Sequence, residues 1–340
     1  MLKRMSRLAA GLLTGALLAA GGACAHARHV NAKLPVHQVH GPLSVMVLGS
    51  AGPQILAGTG RANAGYMVFV DGTPRILMDL GGGTFKSIAE SGAHIHTVND
   101  ILLSHLHIDH SSDLPAVVKG LYLDGAVRRS PHVKPLQIFG PDNAMHIAHF
   151  KPTSAFLKDE FGPQGEYAYL KSFVDGGHLG KFGYQAHDIP SDFHNASIHT
   201  LVDHNGLVVK AIAVDHYDAP AVAYRIDYKG RSIVFTGDTH TTTDDVERLA
   251  RNADVLIYDT SIMPKDPPPR TAFHKRHTVP SRIGQVAAAA GVKELVLSHL
   301  TPKSLPNIDT IERIIRNQGF AGKISEARDL KVYNTEPGNE

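Results

Sequence analysis

The sequence predicts an α/β fold in which two mixed β-sheets pack face to face and helices cover their outer faces. Three observations carry this. Short apolar runs recur along the chain, each closed by glycine, aspartate or proline, as strands are. Most of these runs are continuously apolar, which calls for burial on both faces. Strands and amphipathic segments also fall into two successive blocks, one for each sheet with its helices.

In the first block, "LSVMVLG" (43–49), "GYMVFVDG" (65–72), "RILMDLG" (75–81) and "DILLS" (100–104) read as strands. "DLPAVVKGLYL" (113–123) reads as a helix, with Asp113 near its start and Pro115 in the first turn. "PLQIFG" (135–140) is a strand that Pro141 is expected to end. Residues 151–200 are rich in glycine, aromatics and histidine but weakly periodic, and predict a loop-rich insertion or lid. The second block holds strands at 207–214, 221–228, 231–237, 254–259 and 294–298. Helices are expected over 243–253, 280–292 and 308–319; Pro280 starts the second of these and Gly291 stops it.

Of 340 residues, 43% are hydrophobic and 19% charged, a globular composition that excludes a disordered chain. Twenty-two histidines point towards metal. At the N-terminus, Lys3, Arg4 and Arg7 precede the uncharged run 8–20, and "AHA" (25–27) offers a small-x-small cleavage site. The run is too short for a bilayer core of about 30 Å. A signal peptide cleaved after Ala27 is therefore expected, with residues 28–340 as one domain in the periplasm or outside the cell. A lipid anchor on Cys24 is the alternative, although "GGAC" lacks the usual preceding leucine. Cleavage removes the single cysteine, so the mature chain has no disulfide and must be held by its core or by metal. It also removes three of 34 basic residues, leaving 31 against 32 acidic. No basic surface is implied, and nucleic acid is not an expected partner. The expected partners are a small ester substrate and, as an alternative to the monomer, a second copy in a homodimer.

The polar residues of interest share a position. His105 and His107 follow the strand "ILLS"; His216 follows 207–214; Asp238 follows "SIVFTG"; Asp259 ends "DVLIY"; His299 follows "ELVLS". Strand ends converge on one rim of a sheet, where side chains are held rigidly. His-x-His-x-Asp-His (105–110) supplies imidazole nitrogen and carboxylate oxygen, the donors zinc takes outside thiolate sites. His105 and His107 can reach one ion while Asp109 and His110 reach a second. Two ions about 3.5–4 Å apart need a shared oxygen, for which Asp238 is the candidate, with His216 and His299 completing the sets. His94 and His96 precede their strand and have no carboxylate in register, so they read as loop residues.

These segments, "VMVLGSAGP", "RILMDLGGGT", "ILLSHLHIDHSSDLP", "IFGPDN", "AVDHYDAPAVAYRI", "SIVFTGDT", "DVLIYDTS" and "LVLSHL", resemble the metallo-β-lactamase superfamily in their order. "IFGPDN" and the tyrosine of "AVAYRI" resemble its branch of ribonuclease Z, class II cyclic-nucleotide phosphodiesterases and alkyl- or arylsulfatase-like enzymes. The resemblance implies a four-layer αββα sandwich with two zinc ions at one edge. Manganese and iron are the alternative metals. His105, His107 and His216 would hold one ion; Asp109, His110 and His299 the other; Asp238 would bridge, with a hydroxide between the ions as nucleophile. It further implies His277, oriented by Asp259, as proton donor to the leaving group, with His274 as the rival. Asp109, His277 and Asp259 are thus the expected catalytic residues.

The chain departs from ribonuclease Z at two points: Asp259 replaces a longer glutamate, and 151–200 holds six acids against four lysines instead of a basic arm. The expected function is an exported dinuclear-zinc hydrolase of a phosphodiester or sulfate ester. A β-lactam or lactone hydrolase is the alternative, and a non-catalytic metal-binding protein a third reading.

Overall fold

Two seven-stranded sheets build the fold of the computed structural model, which describes residues 34–263 and 272–335. The expected signal peptide lies outside the described residues. In chain order the strands are β1 (Leu43–Gly49), β2 (Gly65–Val70), β3 (Thr73–Leu80), β4 (Asp100–Leu102), β5 (Leu136–Pro141), β6 (Tyr184–Ile189) and β7 (His199–His204). There follow β8 (Leu207–Ala213), β9 (Val222–Tyr228), β10 (Arg231–Phe235), β11 (Val255–Asp259), β12 (Glu294–Ser298), β13 (Lys323–Glu326) and β14 (Val332–Asn334). The helices are α1 (Thr84–Ser91), α2 (Ile108–Ser111), α3 (Leu114–Val127), α4 (Thr153–Phe161), α5 (Tyr169–Val174), α6 (Asp245–Leu249), α7 (Ala272–Arg276), α8 (Pro280–Ala289) and α9 (Ile308–Arg316).

One sheet has the order β14-β1-β2-β3-β4-β5-β6 and the other β13-β12-β11-β10-β9-β8-β7. Both are mixed. β3 to β6 run parallel in the first, and β10 to β13 in the second; the remaining pairs are antiparallel. Period-two alternation divides the apolar residues between layers. Along β1, Val45 and Val47 join the core between the sheets, with Phe235 and Ile257 from the other side. Met46 and Leu48 point outward, packing with Val117 and Leu121 of α3 and Leu157 of α4. Behind the second sheet, Leu256 and Leu295 meet Ile283 of α8 and Ile311 of α9. Each such fully buried side chain contributes about 1.5–3 kcal/mol. Helix, sheet, sheet and helix therefore form four layers, as expected.

The local differences have physical causes. Residues 151–200, expected as a loop-rich insertion, hold α4, α5, β6 and the start of β7 between turns and irregular stretches. β6 and β7 are edge strands whose side chains are mostly half-exposed, so they lack the apolar run that marks a buried strand. Pro141 does not stop short of β5 but closes it, paired with Ile189. A strand's last residue can spare its N–H, and the Pro141 carbonyl accepts from Thr153 Oγ1 at 2.9 Å. Asp113 precedes α3, yet its carboxylate accepts from the backbone N–H groups of Gly83 and Phe85, each at 2.9 Å. It caps the neighbouring α1, which starts after Gly83 at φ +97°. No described helix is long and apolar enough to cross a membrane.

Asp100, at the start of β4, supplies a pH-dependent prediction. Burial raises its carboxyl to about 6, against the opposing pull of the Asn99 amide and His204. An unfolded aspartate titrates near 4, so the folded chain holds this proton more tightly. The stability that this proton contributes below about pH 4 is lost as pH rises through 6. Asp100→Asn removes that loss and is expected to gain about 1–3 kcal/mol at pH 7. Urea unfolding between pH 4 and pH 8 should show the gain growing through pH 6. A gain independent of pH contradicts it.

Candidate metal centre

The parallel strands end at one edge of the sandwich, and the candidate residues lie there. β4 runs out through Ser104 into the turn of His105 and His107, which enters α2 with Asp109 and His110. His216 follows β8, Asp238 follows β10, Asp259 is the last residue of β11 and His299 follows β12. The sheets are tied together at this edge. Tyr224 Oη of β9 donates to the Leu103 carbonyl at 2.9 Å, Val222 N–H donates to the Ser104 carbonyl at 2.9 Å, and Tyr66 Oη meets Ser298 Oγ at 2.7 Å. Two glycines let the backbones approach. A Cβ on Gly52 would lie 2.8 Å from His299 Cε1, and one on Gly237, at φ +59°, would lie 2.5 Å from Ser104 Cβ.

The seven expected ligands converge in two groups. His105, His107 and His216 form one; Asp109, His110, Asp238 and His299 form the other, with ligand atoms in each within 4.8 Å of one another. In the first, His107 Nδ1 stands 2.9 Å from His105 Nε2 and 3.4 Å from His216 Nε2. In the second, His110 Nε2 lies 3.1 Å from His299 Nε2, and Asp109 Oδ2 is 3.2 Å from His299 Nε2 and 3.5 Å from His110 Nε2. Donors around one tetrahedral zinc stand roughly 3.4 Å apart, given bonds of about 2.0–2.2 Å. Asp238 faces both groups. Its Oδ1 is 3.3 Å from His110 Nε2 and 3.2 Å from His299 Nε2, while Oδ2 is 3.9 Å from both His105 Nε2 and His216 Nε2. Asp238 Oδ1 is buried without a hydrogen-bond partner among the described residues. A buried carboxylate oxygen left unsatisfied calls for a cation. The donor set fits a metal.

Electrostatics separate the two groups. Burial holds His105 well below the usual imidazole range, holds His216 down to about 3 and lowers His107. Burial thus favours the neutral form of these three imidazoles, the form that can ligate a metal. Burial opposes charge on His110 and His299 too, but Asp238, Asp109 and neighbouring carboxylates outweigh it. His110 is raised well above its usual value and His299 to about 10. Burial likewise opposes ionisation of Asp109, yet His110 and His299 pull it down to about 2. Asp238 is held well below the carboxylate range by His299 and His110 despite its burial. The carboxylates of the second group thus favour positive charge on His110 and His299, a place that a bound cation would take in exchange for their protons.

Behind four of the five candidate ligand histidines the remaining ring nitrogen is anchored, which fixes tautomer and ring direction. His105 Nδ1 lies 3.0 Å from Ser104 Oγ, His110 Nδ1 2.8 Å from Asp79 Oδ2, and His216 Nδ1 2.9 Å from the Arg276 carbonyl. His299 Nδ1 meets Ser261 Oγ at 2.7 Å, and Ser261 donates to Asp259 Oδ1 at 2.6 Å. The other oxygen of Asp259 accepts from His277 Nδ1 at 2.6 Å. Asp259 therefore serves two histidines, one in the ligand group and one beside it. His277 and Asp259 are both buried; His274, three residues earlier on α7, has its ring beside Phe273.

Sequence reasoning missed Asp79, Ser261 and the joining role of Tyr224. Asp79, at φ +51°, accepts from Ser104 N–H at 2.7 Å and Ser104 Oγ at 2.8 Å as well as bonding His110. A lone carboxylate inside "ILMDL" was its signal. His94 and His96 are placed elsewhere, each with Nδ1 3.2 Å from a carboxylate oxygen of Asp124.

Comparison with known proteins agrees with this architecture. The Beta-lactamase superfamily domain matches residues 74–300, more than half of the chain. The chain is 26% identical over 307 residues to ribonuclease Z of Mycobacterium bovis (strain BCG), covering 87% of this chain and 99% of that protein. The crystal structure of human tRNase Z, short form, superposes with a TM-score of 0.62 at 19% identity, over 86% of this chain and all of that one. A diphosphatase from the PhnP family superposes with a TM-score of 0.58 at 18% identity, over 86% and 96%. Relatives named ribonuclease Z lend no support to the expectation that nucleic acid is disfavoured. The fold implies a divalent metal, which the clustered histidines and aspartates suit. The chain belongs to the β-lactamase superfamily, as a metal-dependent hydrolase of metallo-β-lactamase fold in the ribonuclease Z-like branch.

Proposed function

We propose that the protein is an exported hydrolase that holds two zinc ions and cleaves a phosphodiester or sulfate ester of modest size. The observation that carries this reading is the placement of Asp238, with Oδ1 towards one ligand group and Oδ2 towards the other. His105, His107 and His216 would hold one ion and Asp109, His110 and His299 the second, with Asp238 shared. Manganese or iron would find the same donors acceptable, since supply and geometry select among them. Bound metal would supply Lewis acidity and a water acidic enough to attack near neutral pH.

The protein's own groups do the rest. Asp259 holds His277 through Nδ1, which leaves His277 Nε2 to deliver a proton to the departing oxygen. The same carboxylate steadies His299 through Ser261, so ligand and proton donor keep a fixed relation. A carbonyl substrate with a good leaving group would need this donor less, which is why an ester of phosphorus or sulfur is preferred over a β-lactam.

Initial rates of the metal-loaded protein on an aryl phosphodiester, an aryl sulfate, a chromogenic β-lactam and a precursor tRNA test the reading. Preferred turnover of either ester is expected. Preference for the β-lactam or the tRNA would overturn the substrate assignment and keep the site. The tRNA is included because the curated relatives carry the name ribonuclease Z.

A further inference from the structure

His277 follows directly on α7, a helix of five residues (Ala272–Arg276), none of which is fully buried. So short a helix has little stability of its own, since isolated helices below about 12 residues are marginal. Full apolar burial does not hold it either, so the polar ties at its last turn decide where His277 begins. Those ties run to one segment, the residues just past β8. Arg276 donates through Nε and Nη2 to the two carboxylate oxygens of Asp218, each at 2.7 Å. The Arg276 carbonyl stands 2.9 Å from Nδ1 of the candidate ligand His216. Lys275 lies over the Tyr217 ring, with Nζ 4.6 Å from its centroid.

That segment is itself braced against the loop past β10. The Asp215 carboxylate accepts from the Tyr217 N–H and the Thr242 hydroxyl, both at 2.9 Å, and the Asp215 carbonyl accepts from the His240 N–H at 2.8 Å. Thr278, on the far side of His277, donates to the Thr239 carbonyl at 2.6 Å. Arg276 therefore meets His216 with its backbone and Asp218 with its side chain, and His277 is its neighbour in the chain. The ring centroids of His216 and His277 are 5.8 Å apart.

The side chains of Asp218 and Arg276 are 45% and 29% exposed. An ion pair so exposed contributes little to folding. What its two-point contact supplies is direction, because the guanidinium fork fixes the plane of its partner as well as the distance. Direction matters here, since a proton donor set aside by about 1 Å loses much of its effect.

We propose that the Asp218–Arg276 pair is a positioning clamp that sets the proton donor His277 in register with the candidate ligand His216. The pair acts through the Arg276 backbone, whose carbonyl meets one histidine and whose next residue is the other. The inference rests on the reading of the site as an ester hydrolase with His277 as donor, and adds a positioning pair to it.

Asp218→Asn keeps the shape of the side chain and removes its charge, and thermal unfolding checks that so exposed a change leaves the fold intact. On an ester of an ordinary alcohol kcat is expected to fall about tenfold or more, and on a p-nitrophenol ester less than about threefold, with KM unchanged. Arg276→Lys keeps the charge but loses the fork, and should show the same split. Asp218→Glu keeps the fork's partner and should retain most of the rate. A second readout needs no turnover. Competition with a chelator should show bound zinc released about threefold more readily in Asp218→Asn, a fraction of the roughly 10- to 100-fold carried by direct partners of ligand histidines. Unchanged zinc affinity, or an equal loss of rate on both esters, would overturn the clamp. Should the wild type hydrolyse no ester, the hydrolase reading falls, while zinc release still decides whether the pair holds His216.

Discussion

Asp238→Asn is expected to lower kcat/KM for the preferred ester by about 1,000-fold or more. The substitution keeps the shape of the side chain but removes the charge that both ligand groups share. Asp238 Oδ1 lies within 3.3 Å of His110 and His299 Nε2, and Oδ2 is 3.9 Å from His105 and His216 Nε2. An amide offers one acceptor oxygen, and its NH₂ would point a donor at the opposite group. Metal-assisted hydrolysis draws several kcal/mol of transition-state stabilisation from the ions, at about 1.4 kcal/mol per tenfold. Losing or displacing one ion therefore reaches the stated size. Steady-state kinetics on protein of measured metal content checks it, and a loss of less than about tenfold would remove Asp238 from the bridging position.

His277→Ala is expected to act selectively. A positioned general acid contributes about 100- to 10,000-fold where the leaving group is a poor one. Its contribution fades when the leaving oxygen is already stable as an anion. His277 is buried with Nδ1 held by Asp259 at 2.6 Å, so the ring has one orientation and one free nitrogen. The variant should lose about 100-fold or more on an ester of an ordinary alcohol, and less than about tenfold on one of p-nitrophenol. The slope of rate against leaving-group acidity should accordingly steepen. An equal loss across the series would make His277 a positioning residue for His299, through Asp259 and Ser261.

The two-sheet architecture was legible because buried strands such as "LSVMVLG" and "DVLIYD" are short apolar runs that only a doubly covered sheet can bury. The candidate ligand positions could be picked out because each stands just past such a run: His105 past β4, Asp238 past β10, His299 past β12. Elements that combine burial with exposure were not. β6 and β7 are edge strands, and β13 and β14 span only four and three residues, too short to show a period. Asp113 looked like a cap for its own helix, because sequence carries no sign that α1 comes near enough to be capped instead. Asp79 stayed hidden for a related reason. Its role depends on Ser104 and His110, which are distant in sequence and adjacent only once β3 and β4 pair. Supporting residues are defined by tertiary contact, whereas candidate ligands stand out by type and spacing.

The metal stoichiometry of the purified protein tests the shared-carboxylate centre most directly. A bridging Asp238 predicts two ions per chain in the wild type and one or fewer in Asp238→Asn. A single ion in both proteins, with hydrolysis intact, would contradict it.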